Sequence, residues 1–251
     1  MKLALLLTTV FAFAFPICLM IICRKKTNVP FVCFVTGALC FFIFANVLES
    51  LAHFYFLNVN ESITNFINSS FITFALYAGL MAGIFEETGR LFAFKVLLKK
   101  YDDKNISVAY GIGHGGIECI LTLGITYLIY VVFLFVGSTG DTTTDETIVQ
   151  ILNGLDISII PYAIFERMVA ITIHIGLSII VFNACKSKKL LYLYPVSIFL
   201  HALVDIPAGL YQYGYIKSLL MIESMTFVIA LIIMFVAIKI YKNRGDENVR
   251  V

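Results

Sequence analysis

Seven long apolar runs constrain this chain more strongly than any other feature of its sequence. Each run holds about 20 residues or more, which is the length that a helix needs to cross the hydrocarbon core of a bilayer. The runs cover residues 3–23, 31–57, 71–98, 106–136, 157–183, 190–210 and 219–241. Hydrophobic residues make up 60% of the 251 positions and charged residues 14%, whereas soluble domains are about 45–50% apolar and about 25% charged. The sequence therefore predicts an all-α polytopic transmembrane bundle in the cell membrane and excludes a soluble enzyme.

The charges between the runs predict the orientation of the bundle. Basic residues follow the first, third, fifth and seventh runs, whereas the other connections are acidic or nearly neutral. The basic residues are Arg24, Lys25, Lys26, Lys99, Lys100, Lys104, Lys186, Lys188, Lys189, Lys242, Arg244 and Arg250. Because Lys and Arg are retained on the cytoplasmic side, we expect the amino terminus outside and the carboxyl terminus in the cytoplasm. The formal net charge of +2 gives no indication of a nucleic-acid partner.

The cysteines indicate neither a disulfide framework nor a thiolate metal site. All lie within the apolar runs or at their ends, and no CxxC pair occurs among Cys18, Cys23, Cys33, Cys40, Cys119 and Cys185. We expect them to act as small packing residues.

Ionisable residues inside the predicted spans are the main indication of function. Each one costs about 2.5–3.5 kcal/mol on insertion scales, yet spans three to six carry Glu86, Glu87, Arg90, His114, Glu118, Glu166, Arg167, His174, His201 and Asp205. Their concentration in four neighbouring helices predicts one shared polar site. In the seventh span Glu223 lies near the outer end, and this span is predicted to serve packing alone.

The spacing of these residues supports a shared site. Helical spacing of four residues relates Glu86 to Arg90, His114 to Glu118, and His201 to Asp205, and spacing of seven relates Arg167 to His174. Residues four or seven apart lie on one helix face. Each pair taken alone is also compatible with a structural contact between helices, but independent structural roles for all of them together are a weaker interpretation.

These residue types indicate hydrolysis. A buried glutamate with a nearby histidine can activate water as a general base, and a second polar pair on another helix can stabilise an oxyanion. No serine or cysteine lies beside a base in a GxSxG-like or Cys/His context, so no covalent nucleophile is indicated. The HExxH motif of zincins and a GxGD-type aspartyl motif are also absent from the sequence.

Four segments resemble a known family. EETGR (residues 86–90), YGIGHGGIE (110–118), ERMVAITIH (166–174) and HALVD (201–205) are similar to the YhfC family of membrane peptidases. That family is related to the CAAX protease and bacteriocin-processing group and to the PrsW proteases, which share an EExxxR, FxxxH and HxxxN or HxxxD pattern. This chain departs from that pattern in having EExxR, Tyr110 in place of Phe, and Asp205 where the CAAX proteases have Asn.

The resemblance implies roles for five residues. Glu86 would be the general base, with Glu87 holding it, and His114 would share the activated water. His201 and Asp205 would line the opposite wall as an oxyanion or orienting pair. The supporting residues are Arg90, which would fix the glutamates, and Glu118, Glu166, Arg167 and His174, whose roles stay open.

We therefore expect one integral-membrane peptidase domain over residues 1–251, with its catalytic core within 80–210. It would be an intramembrane endopeptidase that hydrolyses a peptide bond of a membrane-embedded or membrane-proximal substrate. A metal-free mechanism, with no cofactor, is favoured. The first alternative is a zinc-dependent protease whose ligands are His114, His174 and His201. The others are a proton-coupled transporter or channel, against which the lack of an inverted repeat counts, and a non-enzymatic scaffold.

Overall fold

The computed structural model describes the backbone of residues 1–247 and the side chains of residues 1–243, and over this part it is helical without strands. Arg250, one of the basic residues used for orientation, lies outside the described residues. Seven helices are long and apolar enough to cross a membrane: Lys2–Thr27, Phe31–Val59, Phe71–Leu97, Asn105–Val136, Ile157–Lys186, Lys188–Gln212 and Leu219–Asn243. We number them as spans one to seven. The prediction of seven spans in an all-α multi-pass membrane protein is confirmed; the direction of insertion stays a prediction.

Small residues bring the third and sixth spans into close contact. A Cβ atom added to Gly79 would lie 2.5 Å from the carbonyl oxygen of Ala202, and one added to Gly83 would lie 2.7 Å from that of Ile198. Only glycine permits backbones to approach so closely, which is how membrane helices commonly pack. This contact fixes the Glu86 segment of the third span against the His201 segment of the sixth.

The glycine-rich segment of the fourth span lies between the second and fifth spans. A Cβ atom on Gly111 would lie 2.6 Å from the Cα atom of Ile175, and one on Gly113 would overlap the carbonyl oxygen of Phe34. The glycines of this segment therefore let the neighbouring helices approach closely. His114 is held between these two close contacts and is 1% exposed.

The fifth span forms the centre of the bundle. In its most apolar window 72% of the residues are buried inside the protein, compared with 22–33% in the other six spans. Its neighbours are the fourth and seventh spans on either side, with the third and sixth close to its polar residues. Arg167 and His174 therefore project into the interior of the protein rather than toward lipid.

Several local features were not predicted. Segments of π-helix lie within spans two and four, at Phe42–Glu49 and Ile120–Ile125, and end spans two and three, at Tyr55–Val59 and Ala93–Leu97. Two short helices, Glu61–Ile67 and Thr142–Gly154, lie in the connections, and the second is capped by Asp141, which accepts a hydrogen bond from the Thr144 amide at 3.0 Å. All six cysteines are free, as expected.

Candidate active site

Three imidazole rings converge on one carboxylate oxygen in the middle of the bundle. His114 Nε2 lies 2.7 Å from Glu86 Oε2, and His174 Nδ1 and His201 Nε2 each lie 3.8 Å from the same oxygen. The ring centroids of His114 and His174 are 4.7 Å apart, and those of His174 and His201 are 5.8 Å apart. All four side chains are buried, so spans three to six contribute one group each to a single polar centre.

A fully buried arginine organises the glutamates of the third span. Arg90 and Glu87 are both 0% exposed and form an ion pair. The guanidinium of Arg90 also lies 3.7 Å from Glu86 Oε2 and donates a hydrogen bond to His174 Nδ1. Because a guanidinium is always a donor, this contact defines Nδ1 of His174 as an acceptor and places its ring proton on Nε2.

The remaining proton of His174 is held by a carboxylate of the fourth span. His174 Nε2 donates to Glu118 Oε2, and Arg167 Nη1 donates to Glu118 Oε1 across 2.6 Å. Arg167 also pairs with Glu166. The two residues of the fifth span that are seven positions apart therefore contact the same glutamate, as expected for one helix face.

The sixth span presents an imidazole with a defined proton. His201 Nδ1 donates to Glu87 Oε1 across 2.6 Å, so its Nε2 atom is left as an acceptor. Asp205 Oδ2 lies 3.4 Å from that Nε2 atom, and it is buried without a hydrogen-bond partner among the described residues. An imidazole in this tautomer can take up a proton at Nε2, but it cannot donate from that atom to an oxyanion.

One group of side chains has the spacing of a metal site. Glu86, His114 and His174 each offer a ligand atom, and these atoms all lie within 4.8 Å of one another. In the zinc-dependent alternative drawn from the sequence the ligands were three histidines, whereas His201 is not part of this set. Glu86 takes a place in the set because its Oε2 atom lies at the centre of the cluster.

A cavity of about 100 Å³ adjoins the cluster and is lined by groups from spans three to seven. Its ionisable lining residues are Glu86, Glu118, Glu166, Arg167, His174, His201, Asp205 and Glu223. Glu223 was predicted to belong to a span that serves packing alone, and that interpretation is wrong, because its buried side chain lines the same cavity as Glu86. Glu223 lies one turn inside an apolar helix, and the sequence does not show which residues of the other helices lie beside it.

The fourth histidine belongs to a separate polar group. His53 Nδ1 lies 2.6 Å from the Tyr77 hydroxyl, and His53 Nε2 lies 3.2 Å from Glu49 Oε1. None of these three residues lines the cavity. Tyr110, the aromatic residue that precedes the histidine in the fourth span, packs against Phe94 with ring centroids 4.7 Å apart, and its ring centroid lies 5.9 Å from that of His114.

Comparisons with known proteins agree with the resemblance in the sequence. A family model described as YhfC intramembrane metalloprotease matches residues 11–226. A curated relative, "Uncharacterized membrane protein YhfC" of Bacillus subtilis (strain 168), is 34% identical over 247 residues, and the alignment covers 94% of each chain. No solved structure was found to match.

Proposed function

Because the chain belongs to the YhfC intramembrane metalloprotease family, we propose that it is an endopeptidase that hydrolyses a peptide bond of a membrane-embedded or membrane-proximal substrate. The observation that carries this proposal is the convergence of three imidazoles on Glu86 Oε2 beside a cavity. Peptide hydrolysis within a bilayer needs a polar cavity that holds water. Polar groups at membrane depth are tolerated only where protein, and not lipid, surrounds them. Arg90 and the carboxylates around it would keep such a cavity polar.

His201 and Glu87 are the pair that we propose for proton transfer. Glu87 accepts the Nδ1 proton of His201 across 2.6 Å, so the Nε2 lone pair is available to the cavity. A neutral imidazole held in this tautomer can accept a proton from the attacking water and return it to the leaving amine. The Glu87 carboxylate would stabilise the imidazolium that forms between these two steps.

The donor set at Glu86 fits a zinc ion. Zinc binds imidazole nitrogen and carboxylate oxygen, and Glu86, His114 and His174 supply such atoms within 4.8 Å of one another. The Glu118 carboxylate holds the far nitrogen of His174, as outer carboxylates commonly do for metal-binding histidines. When bound, zinc would polarise the peptide carbonyl and make water easier to deprotonate.

A zinc ion at this site would displace one hydrogen bond of Arg90. Its guanidinium now donates to His174 Nδ1, and that nitrogen is the one that faces Glu86. Arg90 would keep its ion pair with Glu87. The family description and the donor set together favour this metal-dependent reading over the metal-free mechanism that the sequence favoured.

The metal-free mechanism uses the same residues differently. Glu86 would then be the general base, with His114 Nε2 sharing the proton across the 2.7 Å contact. His201 and Asp205 would still line the opposite wall of the cavity. The two versions differ in whether Glu86 is a ligand or a base, and zinc content separates them.

The direct test is a cleavage assay with the full chain purified in detergent. The purified protein should generate new peptide termini in a detergent extract of membrane proteins, as read by mass spectrometry, and the Glu86→Gln variant should not. If wild type and variant give the same termini, the peptidase proposal fails. Proton-coupled transport in proteoliposomes without any cleavage would instead support the transporter alternative.

A further inference from the structure

Two carboxylate oxygens in the cavity lack a hydrogen-bond donor among the described residues. They are Glu223 Oε2 of the seventh span and Asp205 Oδ2 of the sixth. Glu223 is only 6% exposed, and a carboxylate that has lost water and found no donor is unfavourable. Each oxygen is therefore disposed to accept a hydrogen bond from a group that enters the cavity.

The charges around these oxygens are unevenly balanced. Five carboxyl groups line the cavity; Arg90 lies 3.7 Å from one of them, Glu86, and the one guanidinium in the lining belongs to Arg167. Arg167 is already bonded to Glu118 and Glu166, and neither Glu223 nor Asp205 shares it by a hydrogen bond. Glu223 and Asp205 are therefore the two carboxyl groups of the lining with which no arginine or lysine of the described residues forms an ion pair.

The geometry beside His201 leaves Asp205 open to a donor. The Nε2 atom of His201 is an acceptor, because Nδ1 carries the proton held by Glu87, and it faces Asp205 Oδ2 at 3.4 Å. The proposed reaction keeps the Nε2 atom for the attacking water, so Asp205 Oδ2 is the acceptor that is left for a cationic donor. An ammonium group has three donors and a guanidinium has five, with no acceptor on either.

We propose that this part of the cavity, formed by Glu223 and Asp205, binds a cationic group of the substrate next to the bond that is cleaved. The inference rests on the proposed function and adds a substrate class to it: peptides with a Lys or Arg side chain, or a free amino terminus, beside the scissile bond. The volume of about 100 Å³ admits one such group. Because Glu86 and His201 line the same cavity, the bound cation would position the neighbouring peptide bond at the cluster.

A binding measurement tests the cation site without turnover. The melting temperature of the detergent-purified chain is followed with n-butylammonium, n-butylguanidinium or neutral n-butanol. The two cations should stabilise the wild type, and Glu223→Gln should weaken their apparent affinity on the order of 30-fold, as expected when one partner of a buried charge pair is removed. Glu146→Gln, an exposed carboxylate outside the spans, is the matched control and should bind like the wild type.

A cleavage measurement identifies the source of the cation. Cleaved peptides are resynthesised with Lys, acetyl-lysine or norleucine beside the scissile bond, and with a free or acetylated amino terminus. If the cavity binds a side chain, acetylating Lys should lower kcat/KM, and the ratio of kcat/KM between the Lys and acetyl-lysine peptides should be smaller in Glu223→Gln. If the cavity binds a terminal amine, acetylating the amino terminus should lower kcat/KM, and the ratio between the free and acetylated peptides should likewise be smaller in Glu223→Gln.

The possible failures are distinguishable. Cleavage by the wild type with equal kcat/KM for charged and neutral peptides, and no stabilisation by either cation, overturns the cation site and leaves the peptidase proposal standing. Stabilisation that Glu223→Gln abolishes, without cleavage of any peptide, supports the cation site and overturns the proposed function. Equal effects in Glu223→Gln and Glu146→Gln would also overturn the inference.

Discussion

His114 Nε2 donates a hydrogen bond to Glu86 Oε2 across 2.7 Å, although 28 residues separate the two in sequence. The bond joins the third and fourth spans at a depth where each ionisable group carries an insertion cost. It is possible because glycines at positions 111 and 113 let the fourth span approach its neighbours closely. The same contacts that pack the helices therefore build the polar centre.

Replacing either member of this pair should abolish cleavage without unfolding the protein. Glu86→Gln and His114→Ala remove an atom that handles a proton or binds a metal, but they leave the interhelical packing in place. We expect kcat/KM to fall about 100-fold or more, with both variants still folded and inserted in the membrane. Glu61→Gln, at an exposed site, serves as the control. Full activity in either variant would remove that residue from the site.

Glu118 should position His174 for metal binding. Glu118→Gln weakens the hold on His174 Nε2, and loss of such an outer carboxylate lowers metal affinity about 10- to 100-fold. Competition with a zinc chelator measures the effect. Glu166→Gln is the matched comparison, because Glu166 also pairs with Arg167 but does not contact His174; it should change zinc affinity by much less. Equal losses of zinc affinity in both variants would show that the effect arises through Arg167, which both glutamates contact, and not through His174.

Close packing at the fourth span should make Gly113 intolerant of a side chain. A Cβ atom there would overlap the carbonyl oxygen of Phe34, and such overpacking costs about 1–3 kcal/mol. Gly113→Ala should lower the midpoint of thermal unfolding in detergent. Gly154→Ala, where no atom lies within 4 Å of the added Cβ, should not; an unchanged midpoint in Gly113→Ala would contradict the packing described.

The insertion direction can be tested with impermeant thiol reagents. A cysteine at Glu146 should react from outside the cell, and one at Lys188 should not, because basic connections stay in the cytoplasm. Both positions are exposed. The native cysteines are replaced first, since Cys18 is exposed. The reverse labelling pattern would mean that the protein inserts in the opposite direction.

Hydropathy was sufficient to predict the spans because burial in lipid demands long apolar helices whatever their partners are. The helix at Thr142–Gly154 was missed because it is short and only Ile148 and Leu152 are buried, although Asp141 three residues before Thr144 was a usable capping signal. The π-helical segments leave no comparable pattern, since they depend on packing between helices.

The polar centre was predicted in part. Intramembrane charges at helical spacing indicated that Glu86, His114, His174 and His201 share a site, and the structure brings them together. Spacing along one helix could not show that Glu86 rather than His201 completes the metal-binding set. Nor could it show that Glu223 of the seventh span reaches the same cavity, because that depends on how distant helices pack.

Zinc content measured together with cleavage tests the central claim most directly. The detergent-purified wild type should contain about one equivalent of zinc, as a site with three protein ligands requires. Extraction with 1,10-phenanthroline should abolish cleavage, the non-chelating 1,7-isomer should not, and added zinc should restore activity. His174→Ala should lose zinc and activity together. Full cleavage by protein that holds well under one equivalent of zinc, unaffected by the chelator, would contradict the metal-dependent account and leave Glu86 as the base of a metal-free mechanism.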